Sequence, residues 1–119
     1  MADDEVTGTS WVLERVGGEP VTGTAPVLDL GADGRVGGST GVNRLIGTYA
    51  VDGPVLRFGA LATTRMAGPP EAMALEQAWL AVLVEEVPFT VTDGRLVLAP
   101  GTASAPAGAE LVRAPSTET

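Results

Sequence analysis

The sequence predicts a mainly β domain (α+β by strict count), a small curled antiparallel sheet or barrel of about eight short strands with one helix packed across it. Three observations carry this reading. Sixteen glycines and nine prolines punctuate short apolar runs along 119 residues, the pattern of a meander of strands. Aspartate-glycine pairs recur at Asp33-Gly34, Asp52-Gly53 and Asp93-Gly94, where glycine, and tolerably aspartate, accepts the positive φ of a tight turn. Only residues 69–85 carry a sustained helical period. One amphipathic helix cannot cover both faces of a long open sheet, so the sheet is expected to curl.

A chain of this length suits one domain. Its expected bounds are 9–115, with a flexible acidic N-terminus (1–8) and a flexible tail (116–119). The first strand is TSWVLERV, with Trp11, Leu13 and Arg15 on one face and Val12, Glu14 and Val16 on the other. Gly17-Gly18 ends it, and EPVTGTAP reads as a loop. Leu28 and Leu30 alternate in the second strand. A primed turn at Asp33-Gly34 leads to a glycine-rich strand, where Gly37 and Gly38 offer no side chain to a core and imply close backbone passage. Gly41-Val42-Asn43 is a turn, and Leu45, Gly47 and Tyr49 share one face of the strand that returns. After Asp52-Gly53-Pro54, Leu56 and Phe58 share a face, and ALATTRMAG is either a short strand or an extended closing segment.

The helix opens at Pro69 or Pro70, where a missing N–H costs nothing, with Glu71 favourably placed for the dipole. Ala72, Leu75, Trp79, Val82 and Leu83 form its expected core face. Pro88 forbids continuation. PFTVT and RLVLAP flank the Asp93-Gly94 turn as a hairpin. GTASAPAGAE is a low-information loop, and AELVRAP is the last strand.

Composition excludes several functions. Seven basic residues, all arginine and all dispersed, oppose fifteen acidic ones for a formal charge of −8, so nucleic acid is not an expected partner. Cysteine and histidine are absent, which removes disulfides, thiol catalysis, zinc–thiolate sites and the usual serine triad. No metal site and no cofactor is expected. No apolar run is long enough for a membrane span. The N-terminus lacks an export signal, so the chain reads as cytoplasmic as it stands, and as envelope or secreted if a signal segment was removed.

The segments GGSTGVNRLIGTY, LATTRMAG, EAMALEQAWLAVL and DGRLVL, in that order, resemble the META domain, or HslJ-like, family. The resemblance runs from Trp11 to Arg113. The matching residues are Gly38, Gly41, Asn43, Gly47, Tyr49, Thr64, Arg65 and Met66, together with the helix. It implies a compact bacterial β domain with one helix, no agreed catalytic activity, and relatives among envelope lipoproteins linked to heat shock and novobiocin tolerance. Members usually carry a cysteine before the motif asparagine and another after the arginine-methionine-alanine segment. Here those positions are Val42 and Gly68.

Among polar residues, Asn43 either caps backbone groups in its turn or points into a ligand cleft. Gly38, Gly41, Asn43 and Gly47 are read as structural turn residues, since no phosphate-loop or dinucleotide spacing surrounds them. Tyr49 and Arg65 either form a polar pair at one barrel end, offering a hydroxyl and a guanidinium to a ligand, or serve the core and loops. Asn43, Tyr49 and Arg65 are therefore the ligand-binding candidates. Glu71 and Glu76 sit five apart, a poor match for one helical face, and Glu85 and Glu86 diverge. The expected function is a non-catalytic binding or interaction domain with an unknown protein or small-molecule partner, possessing no catalytic residue and associated with envelope or stress biology. The alternatives are a small-ligand binder using the barrel mouth and a hydrolase with an unrecognised carboxylate site.

Overall fold

The computed structural model describes residues 6–99 and 108–114. Nine strands and one long helix follow in the order β1 (Thr9–Val16), β2 (Glu19–Pro20), β3 (Val27–Leu30), β4 (Arg35–Ser39), β5 (Arg44–Asp52), β6 (Val55–Thr63), α1 (Pro70–Val82), β7 (Glu86–Thr92), β8 (Arg95–Leu98) and β9 (Ala109–Arg113). From β3 to β9 each strand pairs antiparallel with the next, and β1 pairs with both β3 and β9. The meander thus closes into an eight-stranded barrel with α1 packed across it, the architecture expected from the turn spacing. β2 is a two-residue addition that folds back on the end of β1.

Closure gives every strand an inward face, and these faces fill the interior. Trp11, Leu13, Leu28, Leu30, Val36, Leu45, Leu56, Phe58, Val87, Phe89, Leu96, Leu98 and Leu111 are all buried there, joined from the helix by Trp79, Val82 and Leu83. Trp11 and Trp79, the two largest, are each 0% exposed. These side chains form the packed core of the barrel.

Strict alternation fails at two places, and a bulge accounts for each. In β1 the inward residues are Trp11, Leu13 and Val16, while Arg15 is exposed. Against β9, Leu13 pairs with Leu111 and Arg15 with Glu110, so Glu14 is the extra residue and the inward face moves on by one. This corrects the placement of Arg15 with Trp11 and of Val16 with the outward residues. In β6, Ala62 pairs with Ile46 and Gly59 with Thr48, so Ala60 and Leu61 together oppose Gly47. Ala60 takes φ 49° to make this bulge.

The turns differ in kind. Asp93-Gly94 has positive φ at both residues, 54° and 74°, as a primed two-residue turn requires. Asp33-Gly34 does not form one: Gly31 N–H donates to Arg35 O at 2.8 Å around the three residues Ala32, Asp33 and Gly34, and of these only Gly34 has positive φ, 85°. The Asp33 carboxylate instead accepts from Arg35 N–H at 3.1 Å. The chain is also held before Thr9, since Val6 is 0% exposed and Gly8 N–H donates to Leu30 O at 2.7 Å. The expected flexible segment 1–8 therefore does not reach 6–8. Residues 1–5, the expected tail 116–119 and most of the GTASAPAGAE loop lie outside the described residues.

Outside the barrel, arginines tie strands together. Arg57 donates to Asp52 at 2.9 Å and to Glu86 at 2.6 Å, and Arg95 contacts Glu14 and Glu110. Asp52 foremost, then Glu86, holds the Arg57 guanidinium pKa above its ordinary value, and Glu14 does the same for Arg95. Being solvent-exposed, these pairs add little stability.

Candidate functional site

The antiparallel registers bring the end of β1, the start of β3, the β4–β5 turn and the end of β6 to one end of the barrel. α1 leaves β6 at this end. Pro70 supplies its first turn and Glu71 its acidic residue there. The helix ends at Val82, where Leu83 leaves helical geometry and its N–H bonds Leu80 O at 3.2 Å.

A buried polar knot fastens α1 to the β4–β5 turn. Glu76 is 6% exposed, Asn43 4% and Thr40 0%. Glu76 Oε2 accepts from Thr40 Oγ1 at 2.6 Å and from Asn43 Nδ2 at 2.7 Å. Asn43 Nδ2 also donates to Met66 O at 3.2 Å, while Asn43 Oδ1 accepts from Met66 N–H at 2.6 Å and Thr64 Oγ1 at 2.9 Å. Within the turn, Thr40 N–H donates to Asn43 O at 2.8 Å and Asn43 N–H to Thr40 Oγ1 at 2.9 Å. Both amide donors and both lone pairs of the Asn43 oxygen are thereby engaged. One side chain joins turn, β6 exit and helix.

The four residues read as a structural turn divide. Gly41 and Asn43 lie in the β4–β5 turn, and Gly41 has φ 94°. Gly38 and Gly47 lie instead inside β4 and β5. A Cβ on Gly38 would fall 1.9 Å from Val27 O, so its role is close passage of β3. A Cβ on Gly47 would meet Leu61 Cδ2 at 2.5 Å, where the β6 bulge turns Leu61 towards it.

The three ligand-binding candidates do not gather. Arg65 is exposed beside the knot, between Thr64 and Met66. Tyr49 sits towards the opposite end of the barrel, where its hydroxyl donates to Gly31 O at 2.7 Å. The separation follows from β5 itself, which carries Asn43 just before its first residue and Tyr49 five residues into the strand.

Of the helix core face, Trp79, Val82 and Leu83 are buried, but Ala72 and Leu75 are only half-buried. The place expected for them is taken by Glu76, which the bonds of Asn43 and Thr40 draw inward. Glu76 lies four residues after Ala72 and three before Trp79, so the helical period was a signal that it shares the inward stripe. It fastens the helix to the turn.

Ala72 and Leu75 line a second feature, an open groove of about 760 Å³ on the outer side of this end. One wall is α1, from Pro69 to Ala78. The other is the segment Glu19–Thr24, and the β4–β5 turn forms the floor with Thr40, Gly41 and Val42. Its exposed surface is predominantly apolar. Val42 and Gly68 meet in the floor: a Cβ on Gly68 would stand 3.2 Å from Val42 Cγ2 and 3.3 Å from Cγ1. A smaller recess of about 350 Å³ lies beside the turn, against Asn43, Arg44 and Met66. Among the described residues no group of three or more acidic side chains is placed to hold a metal ion, and no helix is long and apolar enough to cross a membrane.

A closed antiparallel meander barrel, filled inside and pinned to one crossing helix by a buried asparagine–glutamate pair, defines a small helix-capped β domain. The family model for the META domain matches residues 4–116, and the chain belongs to that family. Two solved structures resemble it closely in fold. One, described only as the NMR structure of a protein, is 27% identical over 94% of both chains with a TM-score of 0.76. The other, the NMR structure of a protein from Burkholderia xenovorans, is 26% identical over 95% of this chain and 86% of its own, with a TM-score of 0.68. No curated protein matches the sequence.

Proposed function

We propose that this META domain is a non-catalytic binding domain and that the groove between α1 and the Glu19–Thr24 segment is its contact surface. The observation that carries the reading is the division of labour along α1. Its inward face, Glu76, Trp79 and Val82, completes the core. Its other face, Ala74, Leu75 and Ala78, is also apolar and faces the open groove. A groove of this volume and lining is of the size that holds small molecules. The barrel interior offers no such room, and the one buried carboxylate of the helix is occupied with Thr40 and Asn43. The family resemblance supports the same reading with an envelope or stress association. Backbone NMR spectra recorded against a fragment library test it: shifts confined to Gly41, Val42, Gly68 and Ala78 are expected. Shifts confined to Tyr49 and the far end, or none with any fragment, would remove the groove from consideration.

A second reading, contact with a protein by strand addition, has one observation in its favour. β7 pairs only with Val55, Leu56 and Arg57 of β6. Among the described residues no strand pairs with the remainder, Gly59–Thr63, on that side, and Ile46, 62% exposed, flanks it across Ala62. An exposed edge of this kind accepts an extended segment. Thr64 N–H donates to Arg44 O on β5, so the alternate N–H of Thr63 faces the open edge; replacing Thr63 with proline would abolish capture of such a partner, whereas filling the groove would leave it unchanged.

A further inference from the structure

We infer that the groove selects an amphipathic cation: a ligand with an apolar body and a primary ammonium or guanidinium group. The inference rests on the proposed groove-binding reading and adds its ligand class. The walls supply apolar surface through Val21, Val42, Pro69, Leu75 and Ala78. Among the described residues two ionisable side chains line the groove, Glu19 and Glu71, one on each wall. Both are exposed, so their charges act on the groove's opening and are free of the buried knot. The chain as a whole carries a formal charge of −8, which adds a field of the same sign.

An anionic ligand is the rival, because the first turn of α1 lines the same groove. Here that terminus is a poor anion site. Pro69 is the cap and Pro70 the first helical residue, so two positions that would offer N–H donors have none. The cap makes no side-chain hydrogen bond, and Glu71 places a carboxylate in the first turn. Charge on both walls and donor chemistry on the α1 wall thus point the same way.

Fluorescence titration with dansylcadaverine, an aromatic sulfonamide bearing a primary ammonium, tests this against the dansyl conjugate of 6-aminohexanoic acid, its carboxylate counterpart. The ammonium probe is expected to bind about five- to tenfold tighter, the size of two partly solvated charge contacts. In Glu19→Gln/Glu71→Gln the preference should fall below about twofold. It should persist in Glu85→Gln/Asp93→Asn, which removes the same charge outside the groove. Equal binding of the two probes, or a preference that survives Glu19→Gln/Glu71→Gln, overturns the cation assignment. Ala78→Trp and Ala74→Trp, both at exposed helix positions, fill the groove and report on the groove itself. Loss of both probes in these variants keeps groove binding whatever the charge result. Undiminished binding in them, or no binding by either probe to the original chain, removes the groove reading and the cation inference together.

Discussion

Glu76 on α1 and Asn43 in the β4–β5 turn lie 33 positions apart in sequence, yet the Asn43 amide donates to the Glu76 carboxylate at 2.7 Å in a buried setting. Thr40 donates to the same oxygen. Removing the carboxylate strands two buried donors, each of which costs about 1–3 kcal/mol when left unpaired. Glu76→Ala is therefore expected to lower stability by about 2–4 kcal/mol. Glu76→Gln, which retains an acceptor oxygen, should cost less. Urea unfolding measures both. A double-mutant cycle with Asn43→Ala should return a coupling above about 1 kcal/mol; additive losses would mean that the two residues act separately.

Local signals made most of the barrel legible in the sequence. The Asp93-Gly94 turn, the alternation of Leu28 with Leu30, and the Pro70 helix start are all set by neighbouring residues. What escaped was set by partners far along the chain. Glu14 is the extra residue of a bulge only because β9 pairs alongside β1, so β1 alone groups Val16 with Val12 and Glu14. Glu76 was absent from the expected core face because its acceptor role depends on a turn more than thirty residues earlier. The groove has no local signature, since its walls come from segments around 20, 41 and 75. Asn43 stood out by its position between glycines, but whether it braced a turn or faced a ligand depended on Thr64, Met66 and Glu76 together.

Val42 and Gly68 occupy the two positions where the resembled family keeps cysteines, and the fold brings them into contact. A Cβ at 68 would lie 3.2 Å from a γ atom at 42, within reach for a sulfur at 42 to bridge. Val42→Cys/Gly68→Cys is expected to oxidise to an intramolecular disulfide and to add about 3 kcal/mol for a loop of this length. Gly68→Ala alone should be neutral or slightly destabilising, because the added methyl group crowds Val42. Thiol titration before and after reduction, with melting curves, checks the pair. Free thiols under oxidising conditions would show that the two positions diverge.

Ala60 holds φ 49° at the β6 bulge, a region that costs an L-residue roughly 1–2 kcal/mol and glycine little. Set against glycine's greater freedom in the unfolded chain, Ala60→Gly should still raise stability by about 0.5–1 kcal/mol. The exposed position leaves no packing to lose. A fall in the denaturation midpoint would show that the bulge does not hold Ala60 in this conformation.

Trp79 closes the helix end of the core at 0% exposure, yet its indole Nε1–H has no partner among the described residues. Two effects oppose each other at this side chain. Its ring fills volume where truncation leaves a cavity, so Trp79→Ala is expected to cost about 3–5 kcal/mol. The unpaired N–H subtracts from what the ring contributes, by about 1–3 kcal/mol. Trp79→Phe removes the donor while keeping most of the apolar volume, and should cost about 1 kcal/mol or less. Chemical denaturation of the two variants separates packing from hydrogen bonding. A loss under about 1 kcal/mol in Trp79→Ala would contradict the burial of the helix face. Equal losses in both variants would mean that the N–H carries a bond the ring depends on.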